Sequence, residues 1–104
     1  MTGYCTIIAT APTEQEADKI TEILLNERVV ACVQQLPIKS SYHWQGKVEI
    51  SSEILMIMKS QTKLYSKIES LIKKNHSYQV PEIILLPIEA GLADYLNWIR
   101  TETG

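Results

Sequence analysis

The segment Lys47–Lys59, KVEISSEILMIMK, decides how this chain folds. Its second half, Ile54-Leu55-Met56-Ile57-Met58, is apolar at both strand parities, whereas a strand with one wet face alternates apolar and polar residues. Read as a strand, this run needs cover on both sides. Just before it, Gln45-Gly46 has the chemistry of a hairpin tip. The partner strand then begins around Val30 and runs through Ala31-Cys32-Val33 to Tyr42 and Trp44. Such a hairpin, from Ala31 to Lys59, outlasts the usual strand of about five or six residues.

Working outward, Tyr4–Thr10 (YCTIIAT) reads as a strand bounded by Pro12. Thr13-Glu14-Gln15-Glu16 matches a capping box, with Thr13 as N-cap and Glu16 three residues on. Ala17, Ile20 and Leu24 supply the apolar stripe of a helix ending near Arg28. Leu64, Ile68, Leu71 and Ile72 recur at helical spacing and predict a helix over Thr62–Asn75. Pro81 pushes Val80 out of the helical region and separates that helix from a strand over Glu82–Leu86. Gly91 precedes a short last helix carrying Leu92, Tyr95, Leu96 and Ile99. The order β-α-β-β-α-β plus a terminal helix predicts one α+β domain over residues 1–104. It is a ferredoxin-like split-βαβ sandwich: one antiparallel sheet, both main helices on one face, and an extended central hairpin. Two helices cover only one face, so the other is expected to be buried by association.

Composition narrows the function. The 104 residues are 45% hydrophobic and 21% charged, an ordinary folded balance. A net charge of -2 without a basic run argues against nucleic acid as a partner. No stretch approaches the roughly 18–20 apolar residues of a membrane span, and the N-terminus lacks an export signal pattern. Two cysteines do not make a disulfide framework, which leads us to expect a reducing, cytoplasmic setting. Four glycines leave little material for a phosphate-cradling loop. No nucleophile stands in a recognisable catalytic motif, and a non-enzymatic role is expected.

The residues with chemistry to offer are few. Cys32 brings a soft sulfur ligand and His76 an imidazole, a pair suited to copper or another divalent transition metal, with Glu82 a third donor. Each also has a plain structural reading: Cys32 as a small buried hydrophobe, His76 as a cap of helix carbonyls. No paired-cysteine or H-x-x-x-H pattern accompanies them, so any site is sparse. Tyr42 and Trp44 share one strand face, with His43 opposite, and suit an assembly surface. Glu49 and Glu53 read as structural or interface groups, and Tyr78 as packing or donating a hydrogen bond beside the His76 turn.

Several segments in this order and spacing resemble the CutA divalent-cation tolerance family: Ala31-Cys32-Val33, Ser40 through Lys47, Glu53 through Lys59, His76 through Ile83, and Tyr95 through Ile99. The resemblance implies a cytoplasmic homotrimer similar to PII-type signalling trimers, with a role in copper and other divalent-cation tolerance and no established reaction. It associates Cys32 and His76 with metal binding, with Tyr78 and Glu82 beside the same turn. Ser77 stands where the family has proline, Gln79 where glutamate is frequent, and Gln34 where asparagine is frequent. The rival reading is a PII-like trimer that takes a small ligand or protein in clefts between subunits, with Lys59, Tyr78, Glu82 and Trp98 as lining residues. Thiol and imidazolium are poorer ligands than their deprotonated forms, so metal binding is expected to weaken as pH falls.

Overall fold

The computed structural model describes residues 2–104. Its elements are β1 (Tyr4–Ala11), α1 (Glu14–Asn26), β2 (Cys32–Trp44), β3 (Lys47–Gln61), a 3₁₀ turn (Thr62–Leu64), α2 (Tyr65–Asn75), β4 (Ile83–Pro87) and α3 (Ala93–Glu102). The sheet runs β2-β3-β1-β4 with every pairing antiparallel, which is the split-βαβ order. The expected boundaries hold to within a few residues. The main difference lies at the end of β3, where Thr62 N–H donates to Gly3 O at 2.8 Å and carries the pairing further than the apolar run alone suggests.

Strand parity sorts the sheet into two faces. Cys5, Ile7 and Ala9 of β1 face the same way as Met56, Met58 and Ser60 of β3, their register partners. α1 and α2 lie on this face and close it: Ile20 and Leu24 of α1 and Ile68 and Ile72 of α2 are buried with those strand residues in one cluster. Gln35 of β2 belongs to the same side, and its amide reaches Asp18 Oδ1 at 3.1 Å and Thr21 Oγ1 at 3.0 Å on α1. Burying a full apolar side chain is worth roughly 1.5–3 kcal/mol, so this layer supplies most of the folding drive.

The opposite face carries Ile8, Leu36, Leu55, Ile57, Ile84 and Leu86 by the same parity. Leu36, Ile84 and Leu86 are 50%, 46% and 47% exposed. α3 covers only one end of it. There Tyr95 meets Cys32, and Gln61 Nε2 donates to Thr103 Oγ1 at 2.8 Å, with Ile99 buried beneath. The apolar run at 54–58 is thus explained: its even positions enter the core, and its odd positions reach the uncovered face.

The hairpin extends past both helices. From Tyr42 through Ile50 every residue is exposed, and the molecule measures 44 × 26 × 22 Å, its length being about that of a 13-residue strand such as β2. The tip is the expected one. Gln45 and Gly46 take φ of 51° and 79°, both left-handed, as a two-residue turn matched to strand twist requires.

Candidate functional site

His76 sits where α2 ends and the chain turns toward β4, in extended backbone (φ -93°, ψ 141°). Its side chain is fully buried. Nε2 donates to the carbonyl of Thr10 at 2.7 Å, and Nδ1 accepts the Tyr78 backbone N–H at 3.0 Å. Glu16 Oε2 also lies 3.4 Å from Nδ1, but one ring nitrogen cannot accept from Tyr78 and donate to Glu16 together. The shorter bond decides, and the ring is the neutral Nε2–H tautomer with both nitrogens engaged. The helix carbonyls expected to hold His76 are not its partners. It ties the turn to β1 instead.

Glu16 takes part in the same knot. Thr13 Oγ1 accepts the Glu16 N–H at 3.1 Å, which is half of the expected capping box. The other half is not made, because the Glu16 carboxylate accepts the Ser77 N–H at 3.0 Å. A backbone N–H exists at Ser77 because the position is not proline, and it gives the Glu16 carboxylate its partner. Beyond it, the Tyr78 ring lies 5.0 Å from His76, and its hydroxyl donates to Glu53 Oε2 at 3.0 Å. Burial, then the bond to Glu53 and the nearby negative charge, push the Tyr78 phenol up to about 12.

These contacts edge a cleft of about 700 Å³ on the face without α1 and α2. The sheet contributes Thr10 and Glu53, the hairpin Tyr42 and Trp44, and the turn Tyr78 and Glu82. Glu53 is 8% exposed, deep for a carboxylate. Sequence reasoning missed Thr10 and Glu16 here and underrated Glu53. The one signal for Glu53 was a carboxylate opening an apolar run.

Cys32 belongs to the other end of the sheet. It pairs with Lys59, which pairs with Thr6, four residues along β1 from the Thr10 that holds His76. The separation is therefore roughly 13 Å along the strands plus two strand spacings. Cys32 is half-buried, its Sγ 3.8 Å from the Tyr95 hydroxyl, and Lys59 Nζ donates to Gln34 Oε1 at 2.8 Å. Glu82 is exposed at the turn. Within one chain Cys32, His76 and Glu82 do not converge, and among the described residues no group of three or more His, Cys, Asp or Glu is placed to hold a metal ion. Lys59 and Trp98 likewise lie away from the cleft that Tyr78 and Glu82 line, Trp98 resting 5.6 Å from Tyr95. Cys5 is buried in the core, where desolvation raises its thiol pKa and keeps it unreactive. Among the described residues no helix is long and apolar enough to cross a membrane.

Residues 5–102 match the family model of the CutA1 divalent ion tolerance protein. The chain belongs to that family. It is 41% identical over 93 residues to the divalent-cation tolerance protein CutA of Archaeoglobus fulgidus, covering 89% of this chain and 91% of that one. The solved structure of the A. fulgidus protein, described as a periplasmic divalent cation tolerance protein, superposes with a TM-score of 0.94 at 38% identity, covering 95% and 97% of the two chains. The solved structure of the Thermus thermophilus protein does so with 0.94 at 39%, covering 97% and 99%. These two solved relatives therefore share this fold along nearly their whole length.

Proposed function

We propose that the protein acts in the response to divalent transition metals, copper foremost, as a homotrimer whose subunits cover one another's exposed sheet faces. The observation that carries this is the apolar sheet face of Ile8, Leu36, Leu55, Ile57, Ile84 and Leu86, on whose two edge strands Leu36, Ile84 and Leu86 are about half exposed. A few hundred Å² of such surface favours association by several kcal/mol at about 25 cal/mol per Å², before the costs of association. Family membership supports the metal role. Of the donors first expected, Cys32 is the one this reading keeps in the lead, because it is partly accessible and soft. His76 would have to surrender a bond to Thr10 or Tyr78, and Glu82 lies far from the thiol, so the remaining donors come from another subunit or from solvent. Two free thiols support a reducing, cytoplasmic setting.

Native mass spectrometry of reduced protein with elemental analysis tests both parts. Trimer mass is expected, with copper uptake that Cys32→Ser weakens at least tenfold and His76→Ala leaves at the same stoichiometry. Uptake unchanged in Cys32→Ser removes that residue from the site. A second reading has its own support in the 700 Å³ cleft: a PII-like trimer that takes a small ligand there, metal effects being indirect.

A further inference from the structure

The buried His76 ring has a second partner within reach. Its Nδ1 accepts the Tyr78 N–H at 3.0 Å, yet Glu16 Oε2 stands only 3.4 Å from the same nitrogen. A neutral imidazole with its proton on Nε2 serves Tyr78. An imidazolium cannot, because both of its nitrogens are donors. A proton on Nδ1 sets donor against donor at Tyr78, while Glu16 offers both an acceptor and the counter-charge that a buried cation needs. Nε2 keeps its bond to the Thr10 carbonyl in either state. Glu16 Oε2 already accepts the Ser77 N–H at 3.0 Å, and a carboxylate oxygen has a lone pair for each donor. One proton therefore exchanges partners at a single atom, keeping Ser77 and releasing Tyr78.

We propose that His76 is a proton-operated latch: neutral, it holds the Tyr78 backbone, and protonated, it turns to Glu16 and frees the chain from Tyr78 onward. Imidazole is the side chain whose charge ordinarily changes between about pH 5 and 8, which suits it to this task. The charged and titratable groups that meet the ring are Glu16 from α1 and Tyr78 from the turn. β1 presents a carbonyl, and Glu53 of β3 stands behind the Tyr78 hydroxyl. On its own helix, exposed Lys73 and Lys74 in the last turn oppose a further positive charge. Once its backbone is freed, Tyr78 also loses the placement of its hydroxyl on Glu53 Oε2, so the release reaches the face without α1 and α2. The latch is built within one chain around a fully buried ring, so it does not depend on how copies assemble. Cys32, the donor that the metal reading retains, lies at the other end of the sheet and takes no part.

The test uses the whole 104-residue chain, reduced, between about pH 8 and 4.5. Nuclear magnetic resonance follows the His76 ring nitrogens, assigned with His43→Gln because the chain has two histidines. Amide hydrogen exchange, taken relative to the intrinsic rate at each pH, follows Ser77 and Tyr78. One shared midpoint is expected: Nδ1 gains its proton as Tyr78 protection falls at least tenfold, while Ser77 stays protected. Glu16→Gln keeps an acceptor for Ser77 but removes the charge. It is expected to weaken proton uptake at His76 at least threefold and to move both curves together. His76→Gln is expected to abolish the acid step at Tyr78, and if it fails to fold, Glu16→Gln carries the test. A Tyr78 amide that stays protected while Nδ1 gains its proton overturns the proposal. So do equal loss at Ser77, a ring that stays neutral throughout that range, an acid step that persists in His76→Gln, or curves that part in Glu16→Gln.

Discussion

The two faces of the sheet are built from neighbouring residues of the same strands, yet they end in opposite states. The face under α1 and α2 is closed: Ile7, Met56, Met58, Ile68 and Ile72 are all fully buried. The face behind it is closed at one end by α3, knotted at the other by the His76 turn, and open between. The difference teaches that this chain completes only half of its sheet by itself. The closed face holds the domain together, and the open face leaves apolar side chains such as Leu36, Ile84 and Leu86 half uncovered.

That contrast is most sharply broken by truncation on the closed side. Ile72→Ala is expected to cost about 3–5 kcal/mol in denaturant unfolding, since a fully buried methyl-rich side chain leaves a cavity between α2 and the sheet. Leu36→Lys on the open side should leave the fold intact by circular dichroism, yet weaken assembly at least a hundredfold on dilution. If the two substitutions behave alike, the faces are not distinct in role.

The His76 knot sharpens the comparison further. His76→Ala removes two hydrogen bonds from a fully buried ring and is expected to cost about 2–4 kcal/mol. A loss below about 0.5 kcal/mol would return His76 to the pool of free ligands. Tyr78→Phe removes one bond to a buried carboxylate and should cost about 1–2 kcal/mol at neutral pH. Its sign with pH is fixed. The phenol is raised in the folded state, so its contribution is whole below the ordinary phenol range, near 10, and is lost as pH climbs toward about 12. Tyr65 and Tyr95 are raised as well, so spectroscopic titration should find several late-ionising tyrosines, of which the step near 12 vanishes in Tyr78→Phe. The smallest effect belongs to the exposed Thr13 cap, where Thr13→Ala should cost about 1 kcal/mol and touch neither face.

Periodicity carried the fold because each element announces itself locally. The doubly apolar run at 54–58, the Gln45-Gly46 tip and the stripe from Leu64 to Ile72 fix strand, turn and helix without reference to the rest of the chain. The knot was not legible in that way. Glu16 looked like a capping residue, and the turn it serves lies far ahead in sequence, at Ser77. His76 and Cys32 carried the right chemistry for a metal pair, but strand register puts them at opposite ends of the sheet, and nothing local reveals register. Glu53 was visible only as an interruption, because its meaning depends on Tyr78 crossing from another element.

A trimer requires the open face to be closed by other copies of the chain. Sedimentation velocity of reduced wild-type protein at micromolar concentration asks this directly. Three times the subunit mass, falling to the single mass in folded Leu36→Lys, is the expected result. A wild-type protein that stays a well-folded single subunit would contradict it.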